Sequence, residues 1–408
     1  MFNRKNFYLA ALFASTLGCM ACYVVPLSTY LARPELSVSA GRYMSALGFG
    51  GLSAVLVARW TAKIPGRFAV ALYGLLAALG AGIAYVSLAA PTPNLTTLGI
   101  GMIVLGVGQF SLLGRTQARV VAETRPGKAI PYIFLSATAL WVALQLSLSA
   151  ATPRFFLFAA SFALLSSFLS LVGPGEPRTD EASEKNAAPN TTQKPNFIAI
   201  FRTAPAFFLA VFCASIFASN FYFSECGRLC VDVFPKVSAL KLNAVLQISE
   251  VATLLSLTAL ISLVGGLKRA IVAALCVSAA RYFLLGFAEP TSAFVAMLGH
   301  GVMYVGLQSV VPALYVDRCF ADESERKNAQ TLLAVAAFAA PSATSGIVAE
   351  TLERAATNAD GVVAWSGVFG PAALVLVILA VFFAIFGREP NANSSADKTE
   401  ASENADAT

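Results

Sequence analysis

The chain has 408 residues, of which 57% are hydrophobic and only 12% charged, and its mean hydropathy is +0.71. These values exclude a soluble globular protein and indicate an integral membrane protein. The formal charge of +6 would suit nucleic acid in a soluble domain. Here the basic residues stand in short loops between apolar segments, where they act as topology signals and no nucleic-acid partner is expected.

Residues 8–31 form a long apolar segment behind Arg4 and Lys5, broken only by Pro26. A cleaved secretory signal would carry a shorter apolar core of about 7–15 residues, so this segment is expected to be the first membrane span. Further spans are expected at 43–58, 68–90, 95–113, 129–148 and 155–172, each near the length needed to cross roughly 30 Å of hydrocarbon. Gly99, Gly101, Gly106 and Gly108 on the fourth span include a small-xxx-small pattern that predicts close helix packing. From Gly173 to Asn196 the composition changes: Glu176, Arg178, Asp180, Glu181, Glu184 and Lys185 stand among Pro, Ala, Asn and Thr, as in a solvated linker. Six more spans follow at 204–223, 245–263, 270–287, 291–316, 330–350 and 368–386, and a polar tail closes the chain.

The expected organisation is an N-terminal six-helix bundle (1–172), a charged cytoplasmic linker (173–203), a C-terminal six-helix bundle (204–387) and a disordered cytoplasmic tail (388–408). With both termini in the cytoplasm, twenty of the 28 Lys and Arg fall on the inner side and seven outside, with Arg281 inside a helix. That asymmetry agrees with retention of basic loops in the cytoplasm. An all-α polytopic protein of twelve transmembrane helices in two such blocks has the layout of the major facilitator superfamily, whose halves rock around a midplane site. The seven cysteines show no metal-ligand spacing. Cys226 and Cys230 flank Gly227-Arg228-Leu229 in what should be an external loop, where a disulfide is chemically permitted.

Leu246-Gln247-Ile248-Ser249-Glu250 places a carboxylate and an amide inside the apolar run 245–263. A carboxylate in hydrocarbon costs several kcal/mol unless paired, hydrated or protonated, so it marks a functional site. Gln247 and Glu250 share one helix face by their spacing. The next two spans bury Arg281 and the chain's sole histidine, His300. Arg281 with Glu250 reads equally as a structural ion pair locking two helices or as a site for substrate or proton binding, and a pair that breaks and reforms would serve as a gate. Spacings of four align His300 with Tyr304 and Gln308. On the fifth span, Thr138 and Trp141 lie one turn apart near Ser136 and Gln145, a face suited either to packing or to a planar polar ligand. Asn220 is of the same class. No phosphate-cradling loop, metal set or nucleophile elbow is present, so neither an enzyme nor a cofactor is expected.

These residues resemble the nucleoside:proton symporters of the major facilitator superfamily. Gln247-Ile248-Ser249-Glu250 is similar to the family's Gln-Ile-Ser-Glu. Arg281-Tyr282-Phe283 through Glu289-Pro290 resembles its Arg-Phe helix ending in Asp-Pro. His300-Gly301 with Tyr304, and Tyr315-Val316-Asp317, resemble its His-Gly-x-x-Tyr helix closing in Tyr-x-Asp, given one inserted residue beyond Tyr304. Weaker likenesses are Leu27 with Thr29-Tyr30, and the segment from Ile130-Pro131 through Thr138 to Trp141. The resemblance implies that Gln247 and Glu250 bind a nucleoside, with Thr138, Trp141, Asn220 and Tyr304 completing the pocket, and that Glu250, Arg281 and His300 serve proton coupling or gating. The chain departs from the family where Phe134 replaces an arginine, Val305 an aspartate and Arg59 the acidic residue of a cytoplasmic loop.

The expected function is nucleoside uptake across the inner membrane by proton symport with alternating access, by a monomer in the lipid bilayer. Alternatives are a permease or exporter for another small solute, an uncoupled nucleoside facilitator, and a non-transporting membrane sensor.

Overall fold

The computed structural model describes residues 4–390 apart from 34, 37, 62–63, 125–128, 151, 175–196, 219 and 321. Most of the expected linker and nearly all of the tail therefore lie outside the described residues, as do the side chains of Asn220 and Arg59. The first half comprises α1 (Arg4–Leu31), α2 (Gly41–Leu52), α3 (Ala54–Trp60), α4 (Gly66–Ala89), α5 (Leu95–Glu123), α6 (Ile130–Ser147) and α7 (Phe155–Val172). The second comprises α8 (Phe197–Thr203), α9 (Pro205–Ala218), α10 (Asn220–Val233), α11 (Ala239–Val264), α12 (Leu267–Leu285), α13 (Pro290–Leu298), α14 (His300–Leu307), α15 (Val310–Cys319), α16 (Glu323–Ala334), a π-helical segment Val335–Ala339, α17 (Ala340–Ala356) and α18 (Trp365–Phe386).

Local chemistry sets several of these ends. The Asn94 side chain caps α5 by accepting from the Thr97 N–H at 3.0 Å, and Asp322 does the same for α16 from Glu325. Gly265, at φ 81°, closes α11 in the left-handed conformation that glycine adopts without steric penalty.

Ten helical stretches among the described residues are long and apolar enough to cross a membrane. The expected second and ninth spans are helical but fall outside that set for physical reasons. Gly41 to Trp60 is interrupted at Ser53, whose hydroxyl bonds back to the Gly50 carbonyl at 2.6 Å. The helix α12 carries Lys268, Arg269 and Arg281 within 19 residues. The seventh span extends beyond its expected end at 223, to Val233. Cys226 and Cys230 are therefore one turn apart on a helix, both buried, and both are free thiols. The external loop that would have permitted a disulfide is not there.

In the first half, α4 packs on α5 and α7, and α1 on α6 and α7; in the second, α12 packs on α14 and α18. The predicted close packing of the fourth span is present. A Cβ on Gly101 or Gly108 would meet the backbone of Ala84 or Ala77 and one on Gly106 that of Leu47, whereas one on Gly99 would meet none of the described atoms within 4 Å. Between the halves, α11 crosses α6, α1 runs beside α10, and α2 crosses α17.

Candidate functional site

The site is built where two short sequence patterns meet. At the crossing of α11 and α14, a Cβ on Gly301 would stand 2.2 Å from the Ser249 carbonyl oxygen. Only glycine permits this approach. The Gly301 N–H donates to Ser249 Oγ at 2.9 Å. Ser249 and Gly301 thus join the two helices, and their neighbours Glu250 and His300 face one cavity.

That cavity, small in this closed arrangement at about 30 Å³, is lined by Leu17, Met20 and Val24 of α1, Ala137, Thr138 and Trp141 of α6, Phe223 of α10, Gln247 and Glu250 of α11, His300 and Tyr304 of α14, Phe338 of the π segment and Ser342 of α17. Both halves contribute to its lining. Thr138 Oγ1 donates to Glu250 Oε1 at 2.5 Å, bridging α6 and α11. The same hydroxyl stands 3.2 Å from the Phe134 carbonyl oxygen. The His300 ring stacks on Tyr304, with centroids 6.1 Å apart, and meets Phe223 edge-on. Among the described residues, neither His300 nitrogen nor Trp141 Nε1 has a hydrogen-bond partner. Unpartnered buried donors beside a carboxyl are costly in an empty site and suit one that takes a polar ligand.

Five of the six residues expected to bind substrate line this cavity, together with His300. The side chain of the sixth, Asn220, lies outside the described residues. Arg281 does not line the cavity, and the expected Glu250–Arg281 pair is not formed. The guanidinium lies over the rings of Tyr222 (4.7 Å) and Tyr282 (5.2 Å) and donates to Met303 Sδ at 3.4 Å. Glu250 turns the other way, across the molecule to α6. Gln308 leaves the expected His300–Tyr304 face and donates to the Ala337 carbonyl at 2.9 Å, tying the π segment to the end of α14. Ser136 and Gln145 also turn elsewhere, bonding the Ile133 and Ala21 carbonyls.

The departures have structural counterparts. Phe134 is 2% exposed and packs on Phe13 at 4.5 Å, so a ring fills the place of the family's arginine. Val305 is fully buried. The inserted residue beyond Tyr304 coincides with a helix break: the Ser309 N–H bonds the Tyr304 carbonyl five residues back, as at a π-bulge. The apolar lining from α1 and Phe338 carried no polar signal in the sequence, and Ser342 is one serine among several in its segment.

The family model described as nucleoside H+ symporter matches residues 110–392. None of the curated proteins matches the chain. Among solved structures, two of the nucleoside transporter NupG superpose with TM-scores of 0.73 and 0.70 at 16% identity, over 94% and 95% of this chain and 100% of theirs. A D-xylose-proton symporter matches with a TM-score of 0.70 at 15% identity, over 95% of this chain and 99% of that one. The fucose:proton symporter FucP of E. coli gives 0.63 at 15% identity, over 94% and 98%. At these identities the superpositions establish the fold, that of the major facilitator transporters.

Proposed function

The chain belongs to the nucleoside H+ symporter family, and from that premise we propose that it takes up nucleosides across the inner membrane by proton symport with alternating access. It is an integral membrane protein with the fold of a transporter. The observation that carries the mechanism is the Thr138–Glu250 hydrogen bond, which joins a carboxyl of one half to a hydroxyl of the other inside the cavity.

A hydroxyl has one proton to donate and two lone pairs to accept with. Thr138 can therefore serve both states of Glu250. It donates to the ionised carboxylate, and when Glu250 carries a proton it turns to the Phe134 carbonyl and accepts from the carboxyl. Glu250 is in this reading both the proton carrier and, with Gln247, the partner of the ribose hydroxyls. Trp141 and Tyr304 enclose the base. Arg281, outside the cavity that His300 lines and with its charge held by two aromatic faces, acts on gating rather than on substrate. Both termini lie in the cytoplasm, and the two bundles 1–172 and 204–387 move as units about the linker in a monomer.

Uptake of radiolabelled uridine and adenosine into proteoliposomes tests this: Glu250→Gln abolishes proton-driven accumulation, and full retention would sink the assignment. One observation favours a second reading. Val305, fully buried where the family has an aspartate, fits a nucleoside facilitator without proton coupling, which would equilibrate nucleosides and never concentrate them.

A further inference from the structure

Two prolines disturb the helices that carry Tyr304 and Phe338 to the cavity. Proline has no N–H and its ring crowds the carbonyl four residues back, so a proline within a helical run deprives one carbonyl of its ordinary donor. Pro312, in the first turn of α15, stands four residues after Gln308. There the run is interrupted: α14 ends at Leu307, and the Gln308 and Ser309 N–H groups both bond the Tyr304 carbonyl, at 2.9 and 3.0 Å. Pro341, at the start of α17, stands four residues after Ala337. There the helix widens into the π segment Val335–Ala339, and the Ala340 N–H reaches back five residues to the Val335 carbonyl.

One side chain joins the two breaks. Gln308 is 1% exposed, and its Nε2 donates to the Ala337 carbonyl at 2.9 Å. That is the carbonyl whose ordinary donor, the N–H of residue 341, Pro341 removes. Inside a membrane such a carbonyl has to be met by a neighbouring helix, because water is absent. The residues beside this bond border the cavity. Tyr304, one turn before Gln308, and Phe338, next to Ala337, both line it, as does Ser342. The Ser342 hydroxyl donates to the Phe338 carbonyl at 2.6 Å, bracing the same turn from within its own helix. Gln308 itself stands behind this lining.

We propose that Gln308 is a positioning residue for ligand recognition, acting through the Ala337 carbonyl to hold Phe338 in place against the cavity and opposite Tyr304. The π turn carries one residue more than an α turn, so its relaxation would swing Phe338 to another bearing. The inference rests on the reading of the cavity as the nucleoside site. It adds that one aromatic wall of that site is set from outside, by an amide that touches no ligand.

The test uses the full chain in lipid nanodiscs and two readouts. The first needs no ligand: para-fluorophenylalanine is placed at position 338 and its fluorine resonance recorded. The second is the Kd of uridine and of adenosine by calorimetry. Gln308→Leu keeps much of the side-chain volume and deletes the donor. It should displace the resonance and raise both Kd values about five- to tenfold, the scale of one hydrogen bond. Adding Pro341→Ala gives the Ala337 carbonyl a backbone donor again. The double variant should regain the wild-type melting temperature yet keep the displaced resonance and the weakened binding, and it carries the test if Gln308→Leu alone does not fold. Recovery of affinity together with stability would reduce Gln308 to satisfying a carbonyl and overturn the proposal. An unmoved resonance or unchanged Kd values in Gln308→Leu would overturn it too. If the wild-type protein binds neither nucleoside, a displaced resonance upholds the positioning and the failure falls on the reading of the ligand.

Discussion

Replacing Thr138 with Val keeps the volume of a buried side chain and removes the hydroxyl that donates to Glu250 at 2.5 Å. The bond spans α6 and α11, so it holds the two halves together in the closed arrangement and is broken when they separate. A hydrogen bond to a charged group contributes about 1.5–3 kcal/mol. Its loss therefore shifts the balance between closed and open states by about 10- to 150-fold. The assay is counterflow exchange of labelled uridine between proteoliposome lumen and medium, which requires passage through the closed state but no net proton movement. Thr138→Val should slow exchange at least about tenfold, and Thr138→Ser, which restores the donor, should recover most of the rate. A correctly folded Thr138→Val protein exchanging at the wild-type rate would refute the reasoning.

Gly301→Ala puts a methyl group 2.2 Å from the Ser249 carbonyl oxygen. Overpacking of this kind costs about 1–3 kcal/mol, so thermal unfolding in detergent should begin several degrees lower, with weaker uridine binding by calorimetry. Trp141→Phe keeps the ring and deletes the unpartnered Nε1 donor; if that donor meets the nucleoside, Kd should rise about five- to tenfold, the value of one neutral hydrogen bond. Alkylation under denaturing, non-reducing conditions should modify all seven cysteines, whereas protection of two would indicate a disulfide the helix geometry does not provide.

The membrane spans were legible in the sequence because hydrocarbon thickness imposes a length and an apolar composition on each. The exceptions were equally physical. The second span breaks at Ser53, and the ninth carries three basic residues, so neither satisfies a uniform hydrophobicity criterion. The helical continuation through Cys226 and Cys230 was hidden because Glu225, Arg228 and Asp232 make that stretch look like a loop, although Arg228 pairs with Glu353 and Asp232 accepts from Trp365 Nε1.

In the site, Gln247, Glu250, Thr138, Trp141, His300 and Tyr304 were visible as polar or aromatic interruptions of apolar runs. Leu17, Met20, Val24 and Phe338 were not, since an apolar residue facing a cavity looks the same in sequence as one facing lipid. The partner of Arg281 was misjudged on charge alone. Opposite charges on neighbouring helices suggested a pair, but the rotation of α11 directs Glu250 to Thr138, and aromatic faces take up the guanidinium.

Proton-coupled nucleoside uptake by this chain is tested most directly by labelled uridine uptake into proteoliposomes with and without an imposed inward proton gradient. The account predicts accumulation above the external concentration only when the gradient is present, and its loss in Glu250→Gln. Equilibration at the same level with or without the gradient, or no nucleoside flux from protein shown to be folded, would contradict it.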